Sequence, residues 1–331
     1  MALLSLLANG EKAVDVIKTS LDTGLLEALE PGGRSLKELS ECIGAVPHRL
    51  SKFMECLESL GLCSHRAVDD DIASTLYWPA AGLREGVIDV FGEKSIEKDR
   101  DAYPWRWLHG RLQEVLTGEL SIPGEEFSWP PVGTDQFANF ERSMAAGLGP
   151  VIEAFRIHRS ALWGAGARLL DVGGGDGTLA GQLLTDDPLL SADVFNLENA
   201  RPLVEEFKKS NGYGERLGFV AGDFLREDLP TGYQVISFVR VLHDWPMAIS
   251  RLLLAKARSA LPNGGRVVIC EEFRTERRLA RQFFWSYFLM GVDGCHSRLY
   301  GVDHYQKMLM EAGFSDIEVL PGPFEIVTAV K

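Results

Sequence analysis

The stretch Leu169-Leu170-Asp171-Val172-Gly173-Gly174-Gly175-Asp176-Gly177 decides the fold of this chain. An apolar run ends in a cluster of glycines, and an amphipathic segment at 178–184 follows at once. This order predicts a buried strand, a tight turn and the start of a helix. Gly173, Gly175 and Gly177 permit positive φ and let a ligand approach the main chain where a Cβ would collide. We therefore predict that this turn binds a ligand, the alternative being a glycine-rich turn without one.

The spacing and charge of the turn distinguish two kinds of cofactor. A dinucleotide fingerprint requires G-x-G-x-x-G, but Thr178 occupies the third glycine position, so the pattern here is G-x-G-x-G. Asp171 and Asp176 would repel a pyrophosphate, whereas a cofactor with a positive sulfonium and an amino group tolerates them. The turn therefore favours S-adenosylmethionine over NAD.

Composition narrows the class of protein. With 331 residues and 46% hydrophobic content, the chain is long enough for two domains with sizeable cores. A net charge of -13 argues against binding to nucleic acid and to anionic membranes, which both require basic surface. The five cysteines are scattered and read as reduced thiols, and we find neither a secretion signal nor an apolar run of membrane-spanning length. We expect an acidic, cytoplasmic enzyme that acts on a small molecule.

The first 90 residues predict a helical domain. Residues 3–30 read as a helix pair with a broad apolar face, which packs either on its own domain or, as we prefer, across a homodimer. Ser35 and Glu38 form a capping-box pattern, a second helix is predicted at 47–60, and the acidic 69–71 tip completes a winged-helix pattern. Because that tip and the whole chain are acidic, we assign residues 1–90 to dimerisation and not to DNA binding.

Residues 91–160 are predicted to form a helical connector that contributes to a substrate pocket. The segment is rich in aromatic residues, and a helix starting at Asp135 would place Phe137, Phe140 and Met144 on one face. Such a stripe is often core, but its position just before the glycine turn favours contact with a ligand. We assign Phe140, Met144 and Trp285 to the substrate.

Regular alternation after residue 160 predicts an α/β domain at 161–331. Strands are predicted at 167–172, 192–198, 218–222, 234–242, 266–273, 315–320 and 324–330, with helical segments between the first six. Pro321-Gly322-Pro323 forces a turn between the last two. We therefore predict a doubly wound, Rossmann-like sheet closed by an antiparallel hairpin, with ligands at the C-terminal ends of its strands.

Polar residues stand at those strand ends. Asn196 or Glu198 could accept hydrogen bonds from ribose hydroxyls, and Gly222-Asp223-Phe224 offers a carboxylate, backbone groups and an aromatic face to an adenine. At the fourth strand we assign Arg240 to the cofactor.

The fourth and fifth strand ends carry candidate catalytic groups. His243 has a side chain whose ordinary pKa lies near working pH, which suits a general base, the alternative being a hydrogen-bonded core histidine. Asp244 precedes Trp245-Pro246 and could instead be a helix N-cap. Glu271 or Glu272, at the fifth strand end, could orient the imidazole of His243.

These motifs carry a family resemblance. The glycine turn, Gly222-Asp223-Phe224, the 241–245 motif Val-Leu-His-Asp-Trp and the 311–314 motif Glu-Ala-Gly-Phe resemble those of the S-adenosylmethionine-dependent O-methyltransferases of the caffeate and hydroxyindole type. The similarity spans nearly the whole chain. It implies that His243 deprotonates a substrate hydroxyl and that Glu271 is one of two flanking glutamates.

The chain departs from that family pattern at two places. Asn196 stands where the family has a ribose-binding aspartate, and Leu299 stands where the second flanking glutamate is expected. His296 lies near that second place and, with His243 and Asp244, makes a two-histidine, one-carboxylate set suited to a divalent transition metal.

Such a set is similar to that of bacterial methyltransferases that C-methylate the β-carbon of α-keto acids for peptide antibiotic precursors. The metal would act as a Lewis acid and stabilise an enolate. Metal-assisted C-methylation of a small α-keto acid is our main sequence-based hypothesis. The alternatives are O-methylation of a phenolic or similar hydroxyl with His243 as base, a cofactor-retaining relative that does not methylate, and a winged-helix regulator.

Overall fold

A computed structural model gives the architecture of the chain. It describes residues 4, 7–68, 71–92, 107–108, 110–124, 144–145, 147–275, 283, 286–287, 289–293 and 297–331. The chain divides into two compact units, Met1–Arg106 and Trp107–Lys331. The predicted three-part division, with a connector at 91–160, stays a prediction.

The first unit is mainly helical. Its described elements, in chain order, are α1 (Gly10–Asp22), α2 (Leu25–Leu29), β1 (Arg34–Ser35), α3 (Leu36–Ile43), α4 (Pro47–Ser59), β2 (Cys63–Arg66), β3 (Leu76–Pro79) and α5 (Leu83–Phe91). The three strands form an antiparallel sheet in the order β1-β3-β2. Buried leucines of α2, α3 and α4 fill its core, for example Leu26, Leu36 and Leu57.

The predicted capping box at the start of α3 is present. The Glu38 amide donates to the Ser35 hydroxyl at 3.2 Å, and the Ser35 amide donates to the Glu38 carboxylate at 2.8 Å. These two bonds satisfy amides that the first helical turn leaves open. Asp69 and Asp70 of the predicted acidic tip lie outside the described residues. The winged-helix and dimerisation assignments stay predictions.

The second unit carries all seven predicted strands of the larger sheet. They are β4 (Arg168–Val172), β5 (Ser191–Asn196), β6 (Leu217–Ala221), β7 (Val235–Val239), β8 (Arg266–Cys270), β9 (Ser315–Leu320) and β10 (Ile326–Val330). Their spatial order is β6-β5-β4-β7-β8-β10-β9. The first five of these in space are parallel, and β10 inserts antiparallel between β8 and β9. This confirms the doubly wound sheet and its closing hairpin.

Helices cover the sheet and bury its faces. The described helices are α6 (Leu112–Thr117), α7 (Gly149–Leu162), α8 (Thr178–Asp186), α9 (Arg201–Asn211), α10 (Met247–Ala260) and α11 (Val302–Glu311). Two apolar clusters result, one that includes Leu254 of α10 and one that includes Phe155 of α7. Within the described ranges, no helix combines the length and the apolar character that a membrane span requires.

Three predicted strands end two or three residues earlier than expected. β7 stops at Val239, because Arg240 adopts φ +57 and a 3₁₀ turn, Leu242–Asp244, follows. β8 stops at Cys270 and β5 stops at Asn196. His243 is therefore presented by a turn beyond the strand, which aims it differently from a strand residue.

Candidate functional site

A cavity of about 330 Å³ opens in the second unit where β4, β5, β6 and β7 end. These are the C-terminal ends of neighbouring parallel strands, where ligands bind in doubly wound sheets. Of the predicted cofactor residues, the lining includes Asp171, Gly173, Gly175, Asn196, Gly222, Asp223, Phe224 and Arg240. Met144, predicted to contact substrate, also lines it.

The glycine turn gives the cavity its backbone wall. Gly173 and Gly175 have φ of +72 and +59, so both adopt the left-handed conformation that glycine tolerates best. A Cβ at Gly173 would lie 2.8 Å from the side chain of Val241, which lines the same cavity. Gly177, at φ +86, is the N-cap of α8 and is not among the lining residues.

Asp171 is a buried carboxylate under the glycine turn. It is 1% exposed, and the hydroxyl of Ser237 donates to its Oδ1 at 2.7 Å. Its Oδ2 has no hydrogen-bond partner among the described residues. Burial raises the pKa of Asp171 to about 6, although the Ser237 hydrogen bond opposes that rise. A carboxylate in this state attracts a ligand with a positive charge or a donor group.

Of the two residues predicted to bind the ribose, Asn196 and Glu198, only Asn196 lines the cavity. Asn196 lines the cavity, and its side-chain oxygen accepts from the Leu197 amide at 2.8 Å. Glu198 lies beyond the strand, is not among the lining residues and pairs with Arg201 at 2.6 Å. Its side chain is 68% exposed, so here it serves a local ion pair.

The segment after β6 forms a compact turn at 223–227. Asp223 accepts from the Leu225 amide through Oδ1 at 2.9 Å, and its carbonyl accepts from the amides of Arg226 and Glu227. The ring of Phe224 lies edge-on to Trp245 at 5.7 Å between centroids. Both aromatic residues line the cavity, which therefore has apolar side chains as well as the acidic residues of the glycine turn.

Arg240 brings a cation to the same cavity. Its guanidinium donates to the carbonyl of Met144 and contacts the Met144 sulfur, both at 3.1 Å. The left-handed backbone at Arg240 is uncommon for a residue with a long side chain and is typical of functional sites. Phe140 and Trp285, the other residues assigned to the substrate, lie outside the described residues.

His243 is held between two carboxylates, and one of them, Asp244, lines the cavity, whereas His243 itself is not among the lining residues. Its Nδ1 forms a short hydrogen bond with Glu271 Oε2, and its Nε2 lies 3.3 Å from Asp244 Oδ1. Burial by itself lowers the pKa of His243, but the carboxylates of Asp244 and Glu271 outweigh burial and raise the pKa to about 9. His243 is 9% exposed. Glu271 holds its ring in one orientation, and the raised pKa favours the protonated imidazolium.

Asp244 is not a helix N-cap. α10 begins at Met247, and its N-cap residue, Pro246, makes no side-chain cap. Asp244 instead lines the cavity and accepts from the Ser297 hydroxyl at 2.9 Å. The Arg298 amide donates to the His243 carbonyl at 2.8 Å, so residues 297–298 are fastened to the 243–244 turn.

The predicted metal set is described in part. His243 and Asp244 lie together, as stated above, while His296 lies outside the described residues. Among the described residues, no group of three or more His, Cys, Asp or Glu side chains could hold a metal ion. The metal set therefore stays a prediction.

Several lining or supporting residues were not assigned from sequence. Trp245 belongs to the 241–245 motif, so its place at the cavity could have been predicted from sequence. Ser237 and Ser297 had no such signal, because a serine acquires meaning only through the neighbour that the fold supplies.

The charges of the cavity fit S-adenosylmethionine. Among the described lining residues, the carboxylates of Asp171, Asp176, Asp223 and Asp244 outnumber the guanidinium of Arg240. That excess suits a ligand with a sulfonium and an amino group and disfavours a pyrophosphate. The Arg240 guanidinium suits the carboxylate that the same molecule carries.

Relatives of known activity resemble the chain over nearly its full length. It is 27% identical to 3-hydroxy-5-methyl-1-naphthoate 3-O-methyltransferase of Streptomyces sahachiroi, over 99% of this chain and 95% of that protein. It is 28% identical to 3-amino-4-hydroxybenzoate 4-O-methyltransferase of Streptomyces cremeus, over 93% of this chain and 84% of that protein.

A solved structure and a family match agree with these relatives. The apo structure of the S-adenosylmethionine-dependent methyltransferase SibL superposes with a TM-score of 0.67 at 23% identity, covering 99% of this chain and 98% of that one. Residues 139–315, more than half of the chain, match the O-methyltransferase domain family. The chain therefore belongs to this family and is an S-adenosylmethionine-dependent methyltransferase.

Proposed function

We propose that this enzyme O-methylates a hydroxyl group on a small aromatic molecule, with His243 as the general base. The observation that carries the proposal is the pairing of His243 with Glu271 beside the cavity. Glu271 fixes one ring nitrogen of His243 and leaves the other, Nε2, on the side of the lining residue Asp244. The two relatives described above act, by their names, on hydroxylated aromatic carboxylic acids.

When bound, S-adenosylmethionine would supply an electrophilic methyl group, and Asp171, Asp223 and Arg240 would hold the cofactor. His243 Nε2 accepts the hydroxyl proton as the substrate oxygen forms its bond to the methyl carbon and the carbon–sulfur bond breaks. Glu271 stabilises the resulting imidazolium. A base with a pKa of about 9 is well matched to a phenol, whose pKa is about 10.

Metal-assisted C-methylation of an α-keto acid remains the second candidate. His243 Nε2 and Asp244 Oδ1 converge to 3.3 Å, and Glu271 on Nδ1 is the kind of outer partner that orients a metal-bound histidine. A metal held there with His296 would act as a Lewis acid. The names of the two relatives instead support O-methylation, and the predicted role in making an antibiotic precursor is compatible with either reaction.

Two substrate panels separate the candidates. Purified enzyme is given S-adenosylmethionine with a carbon-13 methyl group and either hydroxylated aromatic acids or α-keto acids. Mass spectrometry detects the methylated product, and its carbon-13 chemical shift shows whether oxygen or carbon received the methyl. We expect an aromatic methyl ether, full activity after chelation, and a loss of about 10²–10⁴-fold in kcat for His243→Asn.

The matched variant is His296→Ala, which should retain activity if O-methylation is correct. Methylated α-keto acids, together with loss of turnover on chelation and in His296→Ala, would overturn the proposal in favour of C-methylation.

A further inference from the structure

The turn at 223–227 is held from outside by a lysine of a neighbouring helix. Lys256 lies in α10, and its ammonium donates to the carbonyl of Phe224 at 2.8 Å and to the carbonyl of Glu227 at 2.6 Å. Both bonds are charge-assisted, and such bonds are roughly twice as strong as neutral ones. The lysine therefore binds the turn at two points three residues apart.

The two sides of the turn are satisfied by different groups. Its amides are bound internally: the Asp223 amide donates to the Glu227 carboxylate at 3.1 Å, and the Leu225 amide donates to the Asp223 carboxylate at 2.9 Å. The Phe224 and Glu227 carbonyls face Lys256. The Asp223 carboxylate also pairs with Arg226 of the turn at 3.5 Å, so Lys256 is the cation that reaches the turn's carbonyls from a neighbouring helix.

α10 is a rigid support for this contact. Leu253, Leu254 and Ala257 are fully buried in the larger sheet's core, and they flank the half-buried Lys256 along the helix. The upstream end of the turn is fixed separately, because the Gly222 amide donates to the Asn196 carbonyl at 3.0 Å. The segment between these two anchors contains Phe224 and Leu225, which both line the cavity.

We propose that Lys256 is a positioning residue for the nucleoside half of S-adenosylmethionine, which it serves by fixing the 223–227 turn in the conformation that lines the cavity. The inference rests on the proposed function and on the sequence-based prediction that the adenine lies beside Phe224. Lys256 does not itself line this cavity, so its effect reaches the ligand through the turn.

Binding of three ligands to variants of the full-length enzyme tests the inference. Calorimetric titration measures the Kd of S-adenosylmethionine, S-adenosylhomocysteine and 5′-methylthioadenosine, of which the last has the nucleoside without the amino acid. Lys256→Met should raise all three Kd values by about the same factor, on the order of tenfold, because two charge-assisted bonds to the turn are lost. At saturating S-adenosylmethionine its kcat should stay within about twofold of the wild-type value, since the residues around His243 are unchanged.

Two further variants show whether the effect is specific. Lys256→Arg keeps a cationic donor and should recover most of the affinity. Lys209→Met, which alters an exposed lysine of α9, should leave all three Kd values unchanged. Thermal unfolding of each ligand-free variant confirms that titrations are made on folded protein.

Failure of the inference and failure of the nucleoside placement have different signatures. If Phe224→Ala weakens 5′-methylthioadenosine binding while Lys256→Met does not, the inference about Lys256 is overturned and the placement stands. If Phe224→Ala leaves that Kd unchanged, the placement is wrong and the inference fails with it.

Discussion

Glu271 binds both the imidazole of His243 and the backbone that carries it. Its Oε2 forms the short hydrogen bond with His243 Nδ1, while its Oε1 accepts from the amides of Val241 and Leu242 at 3.0 and 2.8 Å. Glu271 is 1% exposed, so little solvent competes for these bonds. A single carboxylate thus sets both the position of the 241–243 segment and the orientation of its histidine.

Glu271→Gln is expected to lower kcat more than it raises the KM for either substrate. An amide can still accept from the two backbone amides, but it cannot stabilise the imidazolium that forms during proton transfer. We expect a loss of about 10²-fold in kcat, within the range that positioned acid–base groups contribute. Steady-state kinetics measure both parameters.

Glu272→Gln is the matched control, because Glu272 is the buried neighbour that follows Glu271 in sequence. Equal losses in the two variants would show that the 271–272 segment matters for stability and would contradict a specific role for Glu271.

The pH dependence of kcat/KM should report the raised pKa of His243. As a base, His243 must be neutral in the free enzyme, so kcat/KM should rise with pH and level off above about 9. Folding stability has the opposite trend: the raised pKa contributes stability that is fully present below about 6.5 and is lost as pH rises through about 9.

Because phenols themselves ionise near pH 10, the informative comparison is between wild type and Glu271→Gln. Removing the carboxylate should move the lower limb of the profile toward neutral pH. An unshifted limb would show that the profile reports the substrate and not His243.

The sheet could be predicted from sequence because its strands are apolar runs separated by turn residues. The predicted strand ends were less accurate, since local contacts decide them. Nothing in the sequence marks Arg240 as the left-handed residue that ends β7. Its amide donates a hydrogen bond to the Cys270 carbonyl at 2.9 Å, and that bond forms only once β7 and β8 are paired. The sequence pattern places His243 at the end of a strand, whereas in the structure a 3₁₀ turn beyond β7 carries it.

The candidate site was partly predictable for a similar reason. Asp171 and Asp223 follow from motifs, whereas Ser237 depends on the register that sets it directly opposite Asp171 in the β4–β7 pair. Glu198 was assigned to a ribose from its place after a strand, yet the strand ends at Asn196 and Glu198 pairs with Arg201, three residues on. Short-range ion pairs of this kind compete with any role inferred from position alone.

Asp171→Asn should stabilise the ligand-free enzyme while weakening cofactor binding. The ionised carboxylate is buried with one unpartnered oxygen, and the isosteric amide removes that charge. We expect a gain of about 1–2 kcal/mol at pH 8, less than the shift from 3.8 to about 6 represents, because the amide also introduces donors. The Kd of S-adenosylmethionine should rise on the order of tenfold, as expected for one charge-assisted bond.

The gain in folding stability from Asp171→Asn should increase with pH. The cost of ionising Asp171 is absent below pH 3.8 and complete above about 6, so the stability advantage of Asp171→Asn should grow across that range. Denaturant unfolding at several pH values measures it. A variant less stable than wild type at pH 8 would show that the ionised carboxylate is satisfied in solution.

Gly174→Ala tests whether the glycine turn and Asp171 form one binding unit. A Cβ at Gly174 would lie 2.5 Å from Asp171 Oδ2, a distance that forces the carboxylate or the turn to move. Gly174 does not have a positive φ, so the substitution acts through this contact and not through backbone strain. We expect the Kd of S-adenosylmethionine to rise at least about tenfold, as for the loss of one charge-assisted bond to the ligand.

Gly164→Ala is the control, because a Cβ there meets nothing within 4 Å. Calorimetric titration of both variants, and of Gly174→Ala combined with Asp171→Asn, measures the coupling. If the free-energy losses of the two single variants add in the double variant, the glycine acts independently of the carboxylate. If the Kd of the double variant is no higher than that of the weaker-binding single variant, the turn acts through Asp171.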